Sequence, residues 1–537
     1  MNKILKTLIY SSVYYDYINK TSKTDGFIDS LHRISWDEKV SSLNPSSDRY
    51  QQIKQLLLKQ NSDLQSDKAK IYLEYLNQPD SVILITGQQL GLFASPIYTL
   101  YKIITTLKLA EYLNSGISSF RYVPVFWLES EDHDFKEINH IGVMDKNFQP
   151  IEMLYPGKDR DKVSLRLYQL EESISTFIAG IKANLLETEF SSDLFDNLNQ
   201  YYRPNHNWIS AIRQFLKQIF HSFGLLYFQP GDEEIKQISV NFFTELLQKG
   251  EEIKLAFYNQ SQALLAQGYH NQVPYFPGQT YIHIEREGNQ RRHLHKDRSN
   301  YFFKDSDQKY TQTEVTNLIT NHPTLVSSTV VSRPLLQSWL LPVAAYIAGP
   351  GEIAYWAQLG QMFPMFDLVM PVLYPRISAT LIEPKIARYL KKHSLEIETL
   401  PIKKDKFVEE YFKNLSDQKD ENPIRELDHS LEREGLKLES YLKTLDPTLI
   451  DVGKKSIKRI KQTLYNLEDR VIKVREKKEG ELTNHLEQIH TAFFPQEIPQ
   501  ERFISVIYFL NKYGPEFIER IFSNLELHNF NHQLLYL

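Results

Sequence analysis

The chain has 537 residues, with 62 Lys and Arg against 67 Asp and Glu, which gives a formal net charge of −5. It contains no cysteine, so disulfides, Cys-ligated zinc or iron–sulfur sites and a cysteine nucleophile are excluded. Its 42% hydrophobic and 24% charged residues are typical of a soluble globular protein, and its charge balance argues against a surface devoted to nucleic acid.

The N-terminus resembles a secretion signal only briefly, because Lys6 interrupts its apolar run and no small-residue cleavage site follows. The longest later apolar run, residues 340–348, is too short to cross a membrane and contains Pro342. We therefore expect a cytoplasmic protein that binds neither membranes nor nucleic acid.

The first part of the chain, up to about residue 80, is predicted to form helices, since apolar residues recur there at helical spacing. Residues 82–85 are wholly apolar and mostly β-branched, which predicts a buried parallel strand. An amphipathic helix is predicted over 97–113 and a second strand over 122–128. Strand, glycine-containing loop, helix and strand in this order indicate a βαβ unit.

Similar signals continue along the chain. Further elements are predicted as strands over 225–228, 341–347 and 368–374, a helix over 353–363 and a hairpin over 281–292. The predicted fold class is therefore α/β, with a Rossmann-like parallel-sheet core whose ligands bind at the carboxyl ends of the strands.

Beyond residue 383 the pattern changes to that of a coiled coil. Apolar residues keep 4-3-4-3 spacing in two series, namely Leu438, Leu442, Leu445, Leu449 and Val452, then Ile460, Leu464, Leu467, Val471 and Val474. Asp446 and Pro447 form a helix start between them, so we predict a projecting antiparallel coiled coil. Its second helix would run to about residue 492 and be roughly 65–70 Å long.

These patterns predict three parts of the chain. The first is a core over residues 1–382 that includes the N-terminal helices and carries insertions at about 150–212 and 260–332. The coiled-coil arm covers 383–495, and the helices of 496–537 are expected to pack back on the core.

The first loop that could carry chemistry follows the first predicted strand. It contains Gly87, Gln88, Gln89 and Gly91 and precedes a helix that contains Lys102. Backbone amides gather around anions at such a place, although a simple glycine turn with a solvated lysine would show the same residues. The loop is neither a P-loop nor a dinucleotide fingerprint.

The second loop, residues 129–140, follows the second strand and contains several carboxylates around His133. Three interpretations remain open. The loop is an acidic solvated segment, or His133, Glu137 and His140 form a metal site on one helical face, or His133 or Asp134 is a general base near a bound amine.

The third loop contains the tight turn 349–351, followed by Glu352 and Trp356. Glycine there would let a ligand approach a helix N-terminus closely. Glu352 could equally stabilise that helix end, and Trp356 could equally be core. Arg333 and Arg376 would bring two guanidinium groups to the same sheet edge, where they suit carboxylate or phosphate ligands.

Taken together, these motifs closely resemble the BshC family over essentially the whole chain. The motifs are Thr86-Gly87-Gln88-Gln89 with Gly91-Leu92 and Pro96-x-Tyr98-Thr99-x-Tyr101-Lys102; Pro124-Val125-Phe126-Trp127 with Glu131-Asp132-His133-Asp134-x-x-Glu137-Ile138; Arg333-Pro334; Gly349-Pro350-Gly351-Glu352-Ile353-Ala354-Tyr355-Trp356-Ala357-Gln358-Leu359; and Val506-Ile507-Tyr508-Phe509-Leu510-Asn511-Lys512-Tyr513-Gly514-Pro515.

The resemblance implies a cysteine ligase that joins cysteine to the amino group of glucosaminyl-malate, the last step of bacillithiol biosynthesis. It also implies a Rossmann-like core with connecting segments and a homodimer formed through the coiled coil. The His-x-Gly-His and Lys-Met-Ser-Lys-Ser signatures of class I nucleotidyltransferases, which have a similar core, are missing. Without a protein thiol, the acid must be activated through a small-molecule adduct or a bound nucleotide, so ATP or ADP is a candidate cofactor.

On this basis we assign roles from position. The predicted catalytic residues are His133, Asp134, Glu131 and Asp132; the substrate-binding residues are Gln88, Gln89, Tyr98, Lys102, Arg333, Glu352, Trp356 and Arg376; and the phosphate- or oxyanion-binding residues are Gly87, Gly91, Gly349 and Gly351. His133 or Asp134 would accept the proton of the amine. No metal is predicted.

Three other functions are compatible with the same residues. A metal-dependent hydrolase or deacetylase would use the cluster around His133, and a coiled-coil scaffold would have no catalytic site. A nucleic-acid binder would use the basic stretch 454–478, although such stretches are usually the solvated face of a coiled coil.

Overall fold

The computed structural model describes residues 11–19, 21–43, 47–132, 134–160, 162–395, 397, 400–417 and 423–537. His133 and residues 1–10, on which two of the expectations above rest, lie outside these ranges. The chain forms two compact units. The larger unit contains the described residues up to Thr380 together with Glu501–Leu535, and the smaller unit contains Leu381–Gln500 and the last two residues.

The elements follow one another in mixed order. The strands are β1 (Ser81–Gln88), β2 (Arg121–Leu128), β3 (His140–Met144), β4 (Pro150–Leu154), β5 (Leu226–Phe228), β6 (Gln279–Glu285), β7 (Arg291–Asp297), β8 (Asn300–Phe302), β9 (Lys309–Tyr310), β10 (Val326–Ser328), β11 (Val343–Ala348), β12 (Val372–Pro375), β13 (Ala379–Ile382) and β14 (Gln533–Tyr536). The helices are α1 (Ser12–Ile18), α2 (Trp36–Ser41), α3 (Asp48–Gln60), α4 (Asp67–Leu76), α5 (Tyr98–Tyr112), α6 (Phe135–Ile138), α7 (Ser173–Asn184), α8 (Ser191–Tyr201), α9 (Trp208–Ile219), α10 (Glu233–Gln248), α11 (Gly250–Ala266), α12 (Gln312–Asn321), α13 (Arg333–Leu340), α14 (Pro350–Trp356), α15 (Pro384–Lys392), α16 (Lys404–Asp417), α17 (Pro423–Leu445), α18 (Ile450–Lys478), α19 (Gly480–Phe493), α20 (Gln500–Phe503), α21 (Val506–Tyr513) and α22 (Phe517–Asn524).

The core of the larger unit is a five-stranded parallel sheet in the order β12-β11-β1-β2-β5. Strand β1 is buried from Ser81 to Gly87, which explains its continuous apolar run, because strands of a parallel sheet are covered on both faces. The strand order reverses between β1 and β11, and such a switch point is where open α/β sheets bind ligands. The predicted Rossmann-like α/β class is confirmed.

A second sheet, antiparallel in the order β10-β6-β7-β8-β9, comes from the region predicted as an insertion. Its β6 and β7 form the predicted hairpin, with His283 opposite His293 and Ile284 opposite Arg292. The 3₁₀ turn between the two strands contains Gly288 at a φ of 73°, a backbone conformation that favours glycine.

Three predicted elements differ from the structure. The strand predicted over 368–374 begins only at Val372, since Pro371 has no N–H for the ladder. The helix predicted over 353–363 ends at Trp356, and a 3₁₀ helix that contains Pro364 follows. The coiled-coil helix predicted to run on to about residue 492 is interrupted between α18 and α19, where Glu479 is not helical (φ −101°, ψ 48°) and Gly480 weakens the helix.

The smaller unit contains an antiparallel helix pair, as the seam pattern predicts. Lys454 of α18 pairs with Glu439 of α17 at 3.0 Å, and Lys461 pairs with Glu432 at 2.6 Å. The residue that is later in α18 pairs with the residue that is earlier in α17, so the two helices are antiparallel. None of the helices formed by the described residues is long and apolar enough to span a membrane.

The segment between α20 and α21 bonds to the residues that precede α5 and to strand β3. The Ile97 N–H donates to the Ile504 carbonyl at 2.9 Å, and the Ser505 N–H donates to the Gly142 carbonyl at 2.7 Å. The hydroxyls of Ser95 and Ser505 also bond at 2.6 Å. These bonds fix the segment that leads from α20 into α21.

Candidate active site

A cavity of about 640 Å³ lies at the carboxyl ends of β1, β2 and β11, at the switch point of the parallel sheet. Its size and position are typical of a small-molecule site. Twelve of the sixteen predicted site residues line it: Gly87, Gln88, Gln89, Tyr98, Lys102, Glu131, Asp132, Arg333, Gly349, Gly351, Glu352 and Arg376. The antiparallel second sheet supplies part of the opposite wall, including His283 and His293.

Three of the predicted site residues, Gly91, Asp134 and Trp356, do not line the cavity. Asp134 is exposed to solvent. Trp356 is core rather than a substrate contact, because its ring is 1% exposed and stacks on Tyr346 with centroids 4.7 Å apart. Gly91 forms a tight turn rather than an anion contact, since a Cβ at this position would lie 2.5 Å from the Ser95 carbonyl oxygen.

Lys102 is buried and already has partners. Its ammonium forms an ion pair with Glu352 and donates to the Gly87 carbonyl at 2.8 Å. Glu352 in turn accepts from the Tyr346 hydroxyl at 2.6 Å and from the Gly349 N–H at 2.8 Å. Burial alone would raise the pKa of the Glu352 carboxyl, but Lys102 outweighs burial and lowers it.

Two consequences follow from this ion pair. Glu352 caps the N-terminus of α14, which is the stabilising role that its sequence position also allowed. The Gly349 amide, which we predicted to hold an oxyanion, is already bonded to that carboxylate.

Both predicted arginines also have carboxylate partners inside the protein. Arg333 Nη1 lies 2.8 Å from Glu129 Oε1, and its Nη2 donates to the Tyr355 hydroxyl at 2.8 Å. Arg376 binds both carboxylate oxygens of Glu501, at 2.6 and 3.0 Å. The prediction that Lys102, Arg333 and Arg376 bind the carboxylates of malate therefore has to be corrected, because each already forms an ion pair with a carboxylate of the protein.

The acidic loop after β2 is held by two contacts. The buried Glu131 carboxylate pairs with the ammonium of Lys236, which also donates to the Val326 carbonyl. Burial lowers the pKa of Lys236 to about 7. The Asp132 carboxylate accepts from Gln89 Nε2 at 3.1 Å. Lys236 lies on α10 and was not predicted as a site residue, because nothing in the local sequence links it to Glu131.

Within the described part of the chain, no group of three or more His, Asp and Glu side chains is arranged to hold a metal ion. His133, the centre of the alternative metal cluster, lies outside that part. Of its two predicted partners, His140 Nδ1 lies 3.1 Å from the Lys136 carbonyl, and burial raises the pKa of Glu137.

The histidines of the β6–β7 hairpin were missed by the sequence analysis. His283 Nδ1 lies 3.3 Å from the Ser328 carbonyl, and its Nε2 lies 3.4 Å from His293 Nδ1. A carbonyl only accepts, so His283 Nδ1 carries a proton and, in the neutral ring, Nε2 accepts the proton of His293 Nδ1. Burial, together with His295, Arg291 and Lys304, lowers the pKa of His293 to about 3, so it is neutral near pH 7.

A parallel sheet with a cavity lined by charged residues at its switch point defines a Rossmann-like protein whose cavity has the place and size of a small-molecule site. Residues 2–377 match the family described as Bacillithiol biosynthesis BshC, N-terminal Rossmann-like domain, and residues 379–537 match Bacillithiol biosynthesis BshC, C-terminal coiled-coil domain. The chain therefore belongs to the BshC family of bacillithiol biosynthesis.

Similar curated proteins carry the name "Putative cysteine ligase BshC". One from Bacillus licheniformis is 29% identical over 94% of this chain and 94% of its own length. One from Prosthecochloris aestuarii is 28% identical over 97% and 95%, and one from Salinibacter ruber is 29% identical over 87% and 85%.

Proposed function

We propose that this chain is a cysteine ligase that joins cysteine to the amino group of glucosaminyl-malate, the last step of bacillithiol biosynthesis. One observation carries the proposal: the cavity at the switch point is built from the same loops whose motifs resemble the BshC family. The names of the relatives are those of cysteine ligases.

The reaction forms a bond between the amine nitrogen and the carboxyl carbon of cysteine. One carboxyl oxygen departs, and the ammonium loses protons to a base and to solvent. Asp132 would attract the ammonium, because it lines the cavity and its partner Gln89 is neutral, whereas Lys236 already neutralises Glu131 and so holds this loop in place. His133 is our first candidate for the proton acceptor, because it follows Asp132 directly in the sequence. Asp134, the alternative, is exposed and does not line the cavity.

ATP or ADP is also part of the proposal. Bound at the cavity, ATP would supply a phosphoryl or adenylyl group to one carboxyl oxygen of cysteine, so that this oxygen would leave as phosphate or AMP when the amine nitrogen bonds to the carbon. Gly351 leaves room for such a ligand, since beyond its chain neighbours and the backbone of its own helix no atom lies within 4 Å of the position that a Cβ would take there. The side-chain amides of Gln88 and Gln89 line the same cavity and would donate to phosphate oxygens.

The proposal is tested by the low-molecular-weight thiols of cells that lack this protein. We expect glucosaminyl-malate to accumulate and bacillithiol to be absent, with both restored by the wild-type chain. Complementation with Glu131→Gln should restore product about 10²-fold less well or worse, because the loop that carries Asp132 loses the ion pair with Lys236 that holds it at the cavity. A matched Glu519→Gln variant on the exposed side of α22 should restore it fully. An unchanged thiol profile in the deletion strain would contradict the proposal.

The roles of the proton acceptors are tested separately with purified protein. We expect His133→Ala or Asp134→Ala to slow product formation by about 10²- to 10⁴-fold, the usual contribution of a general base. If both variants form product at the wild-type rate, neither residue is the base.

The coiled coil supports a second part of the proposal, a homodimer. Apolar side chains of α17 and α18 remain exposed in the single chain, among them Leu436 (72%), Leu445 (60%) and Val452 (58%). An exposed apolar stripe of this kind marks an interaction site. We expect sedimentation to show a dimer that Leu445→Glu with Val452→Glu converts to a monomer, whereas Lys437→Glu does not. A wild-type monomer at micromolar concentration would contradict the dimer.

A further inference from the structure

Arg502 differs from the other positive residues of the cavity. Lys102, Arg333 and Arg376 line the cavity and are each neutralised by a carboxylate. Arg291 is buried and donates to the Ser327 hydroxyl at 2.8 Å and to the Ser328 carbonyl. Arg502 lines the same cavity, is exposed to solvent and has no acidic partner among the described residues.

The backbone of Arg502 is fixed on both sides. The preceding residue, Glu501, is 1% exposed and binds Arg376 through both of its oxygens. Two residues further on, the carbonyl of Ile504 accepts from the Ile97 N–H. The guanidinium of Arg502 therefore extends into the cavity from a fixed backbone. Its charge also acts on Tyr98: burial raises the pKa of the Tyr98 hydroxyl, and Arg376 and Arg502 partly oppose that rise.

We propose that Arg502 binds an oxyanion of the substrate, a carboxylate or a phosphate, at the wall of this cavity. A guanidinium presents parallel N–H groups that match the two oxygens of such a group. Asp132 lines the same cavity and accepts from the neutral amide of Gln89, so the site offers an anion partner and an ammonium partner together. That combination suits a molecule that carries an amine and a carboxylate. The proposal deepens the ligase function and rests on it for the choice of ligand.

Titration calorimetry of the full-length protein tests the proposal with two probes, malate and ADP. We expect Arg502→Gln to raise the Kd of one probe about tenfold or more, the usual effect of losing a charged hydrogen-bonded pair. Arg502→Lys should recover part of the affinity, because the lysine ammonium keeps the positive charge but lacks the two parallel N–H groups of a guanidinium. Weakened malate binding would identify a carboxylate ligand, and weakened ADP binding would identify a phosphate.

The matched control is Arg520→Gln, which removes an exposed arginine of the same terminal segment on α22. An equal loss of affinity in Arg520→Gln would show a general effect of charge and overturn the proposal. So would unchanged binding in Arg502→Gln, or a wild-type protein that binds neither probe. Binding through Arg502 without any ligated product would instead contradict only the ligase function, because calorimetry does not depend on turnover.

Discussion

Replacing Arg376 by methionine is expected to lower the free energy of unfolding of the larger unit by about 3–5 kcal/mol, the usual cost of leaving one member of a buried ion pair alone. Arg376 is 3% exposed and Glu501 is 1% exposed. The same carboxylate also accepts from the Ser378 hydroxyl at 2.8 Å and the Ala379 N–H at 3.2 Å. Its charge would therefore remain buried after the substitution.

The measurement is urea unfolding followed by tryptophan fluorescence. All five tryptophans, Trp36, Trp127, Trp208, Trp339 and Trp356, belong to the larger unit, so the signal does not report on the coiled coil. Arg520→Met is the matched control, because that residue is exposed. Equal midpoints for Arg376→Met and the control would show that the buried pair contributes nothing.

The same cluster predicts how stability depends on pH. Burial alone would raise the pKa of Glu501, but Arg376, His532 and Ser378 outweigh burial and lower it from 4.5 to about 2. A lowered acid pKa stabilises the folded state above the unfolded value. Its contribution, about 3 kcal/mol, is thus complete above pH 4.5 and is lost as the pH falls towards 2.

His532 extends this loss to milder acid. Burial lowers its pKa from 6.5 to about 4. Between these two pH values the imidazole is protonated in the unfolded chain but neutral in the folded chain, so the free energy of unfolding decreases as the pH falls from 6.5 to 4. The ring lies 2.7 Å from the Ser378 hydroxyl and 2.8 Å from the Thr380 hydroxyl. His532→Gln should reduce the slope between pH 6.5 and 4.5, to which the lowered pKa of His293 also contributes, and keep the loss below pH 4.5.

Replacing Lys102 by methionine is expected to reduce product formation by about 10²-fold or more, the effect of displacing catalytic geometry by roughly 1 Å. Lys102 holds Glu352 by an ion pair, and Glu352 caps the turn at Gly349 that lines the cavity. Without the Lys102 ammonium, the Glu352 carboxylate keeps only the Tyr346 hydroxyl and the Gly349 N–H as partners. Because its charge is then uncompensated, we expect the carboxylate and the turn bonded to it to shift.

Steady-state kinetics and a double-mutant cycle separate this effect from unfolding. The double variant Lys102→Met with Glu352→Gln removes both charges, so we expect it to be more stable than Lys102→Met alone. Product formation should stay low in both variants, because the cavity wall is changed in both. Wild-type rates in Lys102→Met would show that the ion pair does not position the site.

Much of the fold could be predicted because its signals are local. The apolar run of β1 and the spacing of α17 and α18 each predict an element within a few residues. Similarly, the loops that follow parallel strands lie at the same edge of the sheet, because the carboxyl ends of all these strands are at that edge. The β6–β7 histidines could also have been found, since His283 faces His293 across a predicted hairpin.

The ion pairs that line the cavity could not be predicted in this way. Arg376 and Glu501 lie 125 residues apart, and Lys236 and Glu131 lie 105 residues apart. Pairing at such separations depends on the tertiary packing of helices whose polar residues look solvated in the sequence. For this reason three cations were assigned to a ligand although the protein itself neutralises them.

The bond between Arg376 and Glu501 has a consequence for how the protein is made. The Rossmann-like family region ends at residue 377, but the carboxylate that neutralises its Arg376 follows more than a hundred residues later. A ribosome adds residues one at a time, and domains generally fold in order as they emerge. Arg376, at the edge of the nascent Rossmann-like sheet, therefore has no Glu501 partner until the coiled-coil region has been translated. The ion pair can form only after the terminal helices have been synthesised.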